Sequence, residues 1–395
     1  MAKGIYIGAG GKACKVRKIY IGAGGKAHKV KKGYIGVSGV ARPFFSAGIE
    51  YMGKVAALSV ARHNLAAAFA GEYVLFGGGG LYPGYGPYEA VDAFDGSFVG
   101  AAVSPLGQNR WGGRAASIGG YAFFAGGFYS HGQLNSDVYA YSSDLVQSSP
   151  EELDQGRAYL AASVSDSAAI FAGGAGSYGT YPGGFNRVDI YDSSLIKLSV
   201  PRLNFSAAHL SGVYTGKSHI FAGGIKSTMN DEGDYTANTF LSSAAAFSDD
   251  FVQTSLSSLS KARAYMTAAM AGSCALFMGG QPGSSTKYCT DVDVYSRENV
   301  RLTPVSLAVG RSKAGGGSIG DTALIVGGTG NYTYIPSCEM FDQDLVRSDG
   351  KALSESSNGG VYGPASASFG GTLVLGGGTV SGGAYTDAVW AYKEM

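Results

Sequence analysis

Seven times along this chain a short apolar run ends in a pair of glycines. The pairs are Gly77-Gly78, Gly126-Gly127, Gly173-Gly174, Gly223-Gly224, Gly279-Gly280, Gly327-Gly328 and Gly376-Gly377, and successive second glycines lie 49, 47, 50, 56, 48 and 49 residues apart. A regular period of this length marks a repeat array, in which each unit is too small to bury its own apolar face and stacks on its neighbours. The 395 residues can therefore form one continuous arrangement of sheets over most of their length instead of two or three ordinary domains.

From about Ile49 each unit has the same internal order. A leucine is followed four residues on by an arginine, as in Leu58/Arg62, Leu106/Arg110, Leu153/Arg157, Leu198/Arg202, Leu259/Arg263 and Leu307/Arg311. A strand of small residues comes next, then a turn, then the apolar strand that runs into the glycines. After a variable loop, an alternating strand ends in an aromatic: Phe94, Tyr141, Tyr191, Phe247, Tyr295, Phe341 and Tyr392. A last short strand carries pairs such as Phe98-Val99, Leu145-Val146 and Leu345-Val346. Four short strands per unit predict an all-β, seven-bladed propeller. The double glycine and the third-strand aromatic resemble the kelch repeat over residues 47–395. Trp111 and Trp390 are the only tryptophans, and neither recurs where kelch blades usually carry one, so the resemblance implies a divergent variant.

The last unit ends at Met395, just after its third strand. We expect the segment Ile49 to Leu58, which precedes the first arginine as fourth strands do elsewhere, to supply the strand that closes the ring. Closure leaves no free sheet edge.

Residues 1–46 form a separate module. Residues 1–45 hold ten of the 30 basic residues and none of the 29 acidic ones, so the remainder carries 20 basic against 29 acidic residues. The overall net charge of +1 conceals this split. Tyr6, Tyr20 and Tyr34 recur at intervals of 14 residues within IYIG or GYIG, which predicts three small hairpins in series. Tandem YIG-x-x-G-x-A-[RK]-x-V-[KR]-K units are similar to short N-terminal repeats of structural and tail-associated proteins of phages and prophages. That resemblance implies an attachment role for Tyr6, Tyr20 and Tyr34. The basic residues are spread over predicted hairpins and not gathered in one run, which argues against nucleic acid as a partner. The GAGGKA strings lack the spacing and hydroxyl of a phosphate loop.

Other classes find little support. Four cysteines (Cys14, Cys274, Cys289, Cys338) show no metal spacing and make no disulfide framework. No signal peptide is visible, and no run of 18 apolar residues predicts membrane insertion. The five histidines form no ligand pair, and the two histidines, two tyrosines and cysteine of a copper oxidase site are not assembled by any spacing, so we expect no catalytic residues, metal or cofactor. The acidic cluster Asn230, Asp231, Glu232 and Asp234 reads as a solvated loop, since the ligand order of an EF-hand is absent.

Two features are candidate binding sites. The first is the arginine set: Arg62, Arg110, Arg157, Arg202, Arg263 and Arg311 would gather near one mouth of the channel and hold acidic groups bidentately. Its structural alternative is that each arginine bonds backbone or an aspartate such as Asp92, Asp189 or Asp293. The second is the pair of loops bearing Tyr82, Tyr85, Tyr178 and Tyr181 among glycines, a composition that makes adaptable binding surfaces. The leading expectation is a non-enzymatic, virion-associated tail, fibre or decoration protein. Its N-terminal module would anchor to other virion proteins and its propeller loops would bind a partner protein or a cell-surface glycan, with oligomers possible. A bacterial kelch interaction scaffold is the alternative, and a carbohydrate-active propeller enzyme the third.

Overall fold

The computed structural model describes residues 48–395, except 82–87, 130–131, 177–182, 199–201, 230–234, 284–287, 332 and 354–358, and the backbone of six strands before residue 47. The chain is a seven-bladed β-propeller. Each blade is a four-stranded antiparallel sheet. The innermost strands are Ala66–Ala70, Arg114–Ile118, Ala161–Val164, Ser211–Tyr214, Thr267–Ala271, Gly315–Ile319 and Ala365–Phe369. They are built mainly from Ala, Gly, Ser and Thr because seven strands converge on one axis, where a full set of large side chains would collide. The second strands are apolar on both faces, and Ala168–Ala172 and Ser218–Ala222 are buried at every position.

Between blades the apolar faces interlock. Phe221 and Phe247 of the fourth blade pack with Ile170, Ile190 and Val188 of the third, and the rings of Phe123 and Tyr191 from successive blades lie 5.6 Å apart. Burying each such ring contributes roughly 1.5–3 kcal/mol. The third-strand tyrosines also anchor their polar tips, for Tyr191 and Tyr295 each donate to a backbone carbonyl at 2.7 Å, those of Glu151 and Ser257.

The last blade takes its outermost strand from the other end of the sequence. Ile49–Ala57 pairs antiparallel with Ala388–Glu394, with register shifts that let a nine-residue strand follow a seven-residue one. Before residue 47, the strands pair as three successive hairpins, Tyr6–Ala9 with Lys12–Lys15, Ile19–Ala23 with Lys26–Val30, and Lys32–Val37 with Val40–Ser46. Tyr6 faces Lys15 and Tyr20 faces Lys29, the same register in both copies.

Candidate functional site

The glycines build one end of the ring. In every blade two successive glycines have positive φ, and the structure corrects the register at both ends of the array. The pairs there are Gly78-Gly79 and Gly377-Gly378, because Gly77 and Gly376 are still in the second strand, close under Phe124 and Phe76 of the neighbouring blade. The second glycine of each pair donates its N–H to a carbonyl of the next blade. Gly79, Gly127, Gly174, Gly224, Gly280, Gly328 and Gly378 reach Arg110, Arg157, Ala207, Arg263, Arg311, Val361 and Arg62 at 2.7–2.9 Å. The first glycine leaves no room for a side chain: a Cβ at Gly126 or Gly279 would stand 2.4 Å from the carbonyl oxygen of Arg157 or Arg311. Two requirements, left-handed backbone and close approach of the next blade, thus select glycine twice in succession.

The carbonyl acceptors locate the repeat arginine in each blade and correct its register in the fourth. There the equivalent of Arg157 is Ala207, preceded by Leu203, whose N–H donates to the Asn186 carbonyl as that of Leu153 does to Ser136. Leu203 is buried, whereas Arg202 is exposed and belongs to the stretch before the crossing. The Leu198/Arg202 spacing is a coincidence that burial resolves. In the last blade the equivalent is Val361, one residue beyond Gly360.

The five remaining arginines serve their own blades. Arg62, Arg157 and Arg263 each donate from Nε to the carbonyl of the first glycine, at 2.7 Å, and Arg311 donates from Nη1 to Gly327 at 3.1 Å. Arg62, Arg157, Arg263 and Arg311 pair with Asp92, Asp189, Asp293 and Glu339 at 2.6–2.7 Å. Arg110 departs from this set: its acid, Asp137, is at 3.8 Å, and its guanidinium lies over the Tyr139 ring. The acids cap the loop before the arginine as well, for Asp92, Asp189 and Asp293 each accept from a backbone N–H at 2.9 Å and Glu339 accepts from Ala308 at 2.6 Å. These five arginines are wholly or almost wholly buried, so the geometry is that of the structural alternative. Where the arginine is absent, its acid is absent too: in the fourth blade, that of Ala207, Ala245 stands in place of an aspartate, and Trp390 occupies the position in the last. A buried charge left without its partner is costly, so the two go together.

Two residues past this position lies a second ring. Asn64, Gly112, Tyr159, His209, Tyr265, Lys313 and Gly363 all have positive φ, from 51° to 67°. From Gly112 to Gly363 each donates its N–H to the carbonyl of the member before it, at 2.7–3.2 Å, so the backbone forms a collar around the axis. The intervening residue of every blade pairs with the first residue after the glycines, as Trp111 does with Phe128 and Ala264 with Gln281, which ties the collar to the loop bases. Non-glycine residues in this conformation carry strain of roughly 1–3 kcal/mol each and cluster where function needs a fixed geometry.

The collar's side chains form a continuous stack across four blades, which Tyr362, beside the collar's Gly363, extends to a fifth. The Tyr159 ring lies 4.1 Å from His209, which lies 4.4 Å from Tyr265. The Lys313 ammonium sits over the Tyr265 ring at 4.5 Å and donates to the Tyr362 hydroxyl at 2.7 Å. Trp111 meets Tyr159 edge-on at one end, and His63 stacks on Tyr385 nearby. All are half-buried. Burial, reinforced by the Lys313 charge, pushes His63 down to about 4 and His209 well below the usual histidine range, so both are neutral at pH 7. Burial also opposes the charge on Lys313, but the surrounding tyrosines outweigh it and hold its pKa above the ordinary lysine value. The collar is thus an aromatic surface with one fixed cation, able to stack against apolar ring faces and to hold an acceptor oxygen.

None of the collar residues stands out by motif. The signal for them is positional, two residues after the repeat arginine, and it is legible only once the arginine register is fixed. Tyr82, Tyr85, Tyr178 and Tyr181 lie outside the described residues, as do Asn230, Asp231, Glu232 and Asp234. The stem of that last loop is a two-stranded ribbon, Ile225–Met229 with Tyr235–Phe240. Tyr6, Tyr20 and Tyr34 lie on the first strands of the three hairpins, and their side chains are outside the described residues. Among the described residues no group of three or more His, Cys, Asp and Glu side chains could hold a metal ion.

No family model matches the chain, and no curated protein matches it in sequence. Its likeness is to solved structures. One, described as the structure of YjhT, superposes with a TM-score of 0.50 over 84% of this chain and 95% of that one, at 13% sequence identity. At that identity the likeness bears on the fold alone.

Proposed function

We propose that this chain is a non-enzymatic binding protein that engages a glycan or a partner protein at the collar end of its propeller. We further propose that its basic N-terminal repeats anchor it to a phage or prophage particle. The observation that carries the binding reading is the Tyr159–His209–Tyr265–Lys313–Tyr362 stack, half-buried and held by two rings of backbone hydrogen bonds. A tyrosine face offers flat apolar area to the C–H face of a sugar ring or to a partner's side chain, and Lys313 adds one donor of fixed position. Rigid aromatic anchors of this kind bind at low entropic cost. The anchoring reading rests on the 14-residue tyrosine repeat and on the concentration of ten basic and no acidic residues in 1–45.

A glycan array probed with the full chain tests the first part. Binding that falls at least tenfold in Tyr265→Ala, with an unchanged melting temperature, supports it; binding indifferent to both Tyr265→Ala and Tyr159→Ala overturns it. Mass spectrometry and gold labelling of purified particles test the second part. Absence from particles, with the chain found free or on a cellular partner, favours the interaction-scaffold reading.

A further inference from the structure

The axis of the ring holds a cavity of about 770 Å³, in the range of small-molecule sites. Its walls are the inner strands, so they are mostly Ala, Gly and Ser, and its lining stops just inside the collar at Leu65, Gly113, Met266, Ala314 and Pro364. Exposed Asp166, Gly120 and Phe369 mark the opposite end.

Among the described residues, Arg114 and Asp166 are the only charged side chains in this lining. They stand at opposite ends. Arg114 opens the inner strand of the second blade, two residues past the collar's Gly112, whereas Asp166 lies in the turn after the inner strand Ala161–Val164. A strand of four or five residues separates these levels by roughly 13–17 Å. The first inner-strand position is buried in the third, fourth, fifth, sixth and seventh blades, where it is Ala161, Ser211, Thr267, Gly315 and Ala365, but Arg114 is solvent-accessible.

Among the described residues Arg114 makes no side-chain hydrogen bond or ion pair, in contrast to the five repeat arginines, which have carboxylates within 4 Å. Arg114 is exposed to the water of the channel, and the protein packed around that channel lowers its pKa from the ordinary arginine value. The hydroxyls along the same wall are already committed between blades: Ser211 donates to Met266, Thr267 to Ala314 and Ser366 to Gly316, at 2.8–3.0 Å. A guanidinium with five N–H donors therefore borders a channel whose described lining holds one distant carboxylate.

We propose that the channel is a second binding site, in which Arg114 holds the carboxylate or phosphate group of a small anionic ligand that enters from the end opposite the collar. A guanidinium matches either oxyanion with two parallel hydrogen bonds, and the cavity has room for the rest of the ligand. This site is independent of the collar reading, since its residues face the interior and its entrance is the other mouth.

The test is isothermal titration of the full chain with inorganic phosphate and with citrate, paired with melting temperatures. We expect saturable binding of at least one of them, lost at least tenfold in Arg114→Met and reduced but retained in Arg114→Lys, which keeps the charge and loses the fork. We also expect Arg114→Met without added anion to melt no lower than the wild type, because no described residue pairs the charge it removes. Binding of phosphate alone or of citrate alone tells which oxyanion the site prefers. Failure of both to bind, or binding that survives Arg114→Met, overturns the proposal. Should Arg114→Met fail to fold, wild-type affinity in Arg114→Lys overturns it.

Discussion

At the residue scale, the paired glycines show how one backbone contact fixes a sequence motif. Gly279 combines a φ of +64° with a missing Cβ that would stand 2.4 Å from the Arg311 carbonyl, whereas Gly96 has open space around the same atom. We expect Gly279→Ala to cost at least about 2 kcal/mol and Gly96→Ala to stay within about 0.5 kcal/mol, read by urea denaturation. Equal effects would show that the next blade does not press on the first glycine. A second residue reports on pH. His219 is fully buried, bonded through Nδ1 to the Ser163 hydroxyl at 2.9 Å, and burial, countered only in part by Asp249, pulls its pKa down to about 4. Between the ordinary histidine pKa of 6.5 and about 4, the unfolded chain takes up a proton that the folded chain refuses. Stability therefore falls as pH falls through that window. The melting temperature of His219→Gln should fall less steeply there than that of the wild type; parallel slopes would contradict the assignment.

At the scale of the blade, the buried arginine and its acid act as one device. Arg157 bridges the first glycine's carbonyl and Asp189, while its own carbonyl receives the preceding blade's glycine N–H. Removing either partner alone, by Arg157→Ala or Asp189→Ala, should cost about 3–5 kcal/mol. The double variant should lose clearly less than the sum, since the fourth blade already stands with Ala207 and Ala245 in these places. Additive losses would show that the two residues stabilise independently. The blade is also where legibility ends. The period, the four strands and the third-strand aromatics were readable because burial on both faces leaves a strong apolar imprint. The arginine register in the fourth blade was not, because Leu198/Arg202 reproduces the spacing and only the burial of Leu203 separates the two. The outermost glycine pairs shifted by one for a related reason: Gly77 and Gly376 extend the run for packing, not for conformation.

At the scale of the whole molecule, seven glycine-to-carbonyl bonds and six collar bonds form two backbone rings at one end of the propeller. No sequence pattern announces the collar, because its members share a backbone conformation and not a chemistry: Asn64, Gly112, Tyr159, His209, Tyr265, Lys313 and Gly363 have nothing in common but position. Their side chains are free to vary, and that freedom lets one blade contribute an aromatic and the next a cation to a single surface. A rigid binding surface of this kind must be preformed in the free protein. Hydrogen–deuterium exchange of the full chain, without any ligand, measures that directly. The amides of Tyr159, His209, Tyr265 and Lys313 should exchange only with global unfolding, as slowly as those of the buried strand Ala168–Ala172. Exchange of these four amides at the rate of exposed turns such as that at Gly96 would contradict the account.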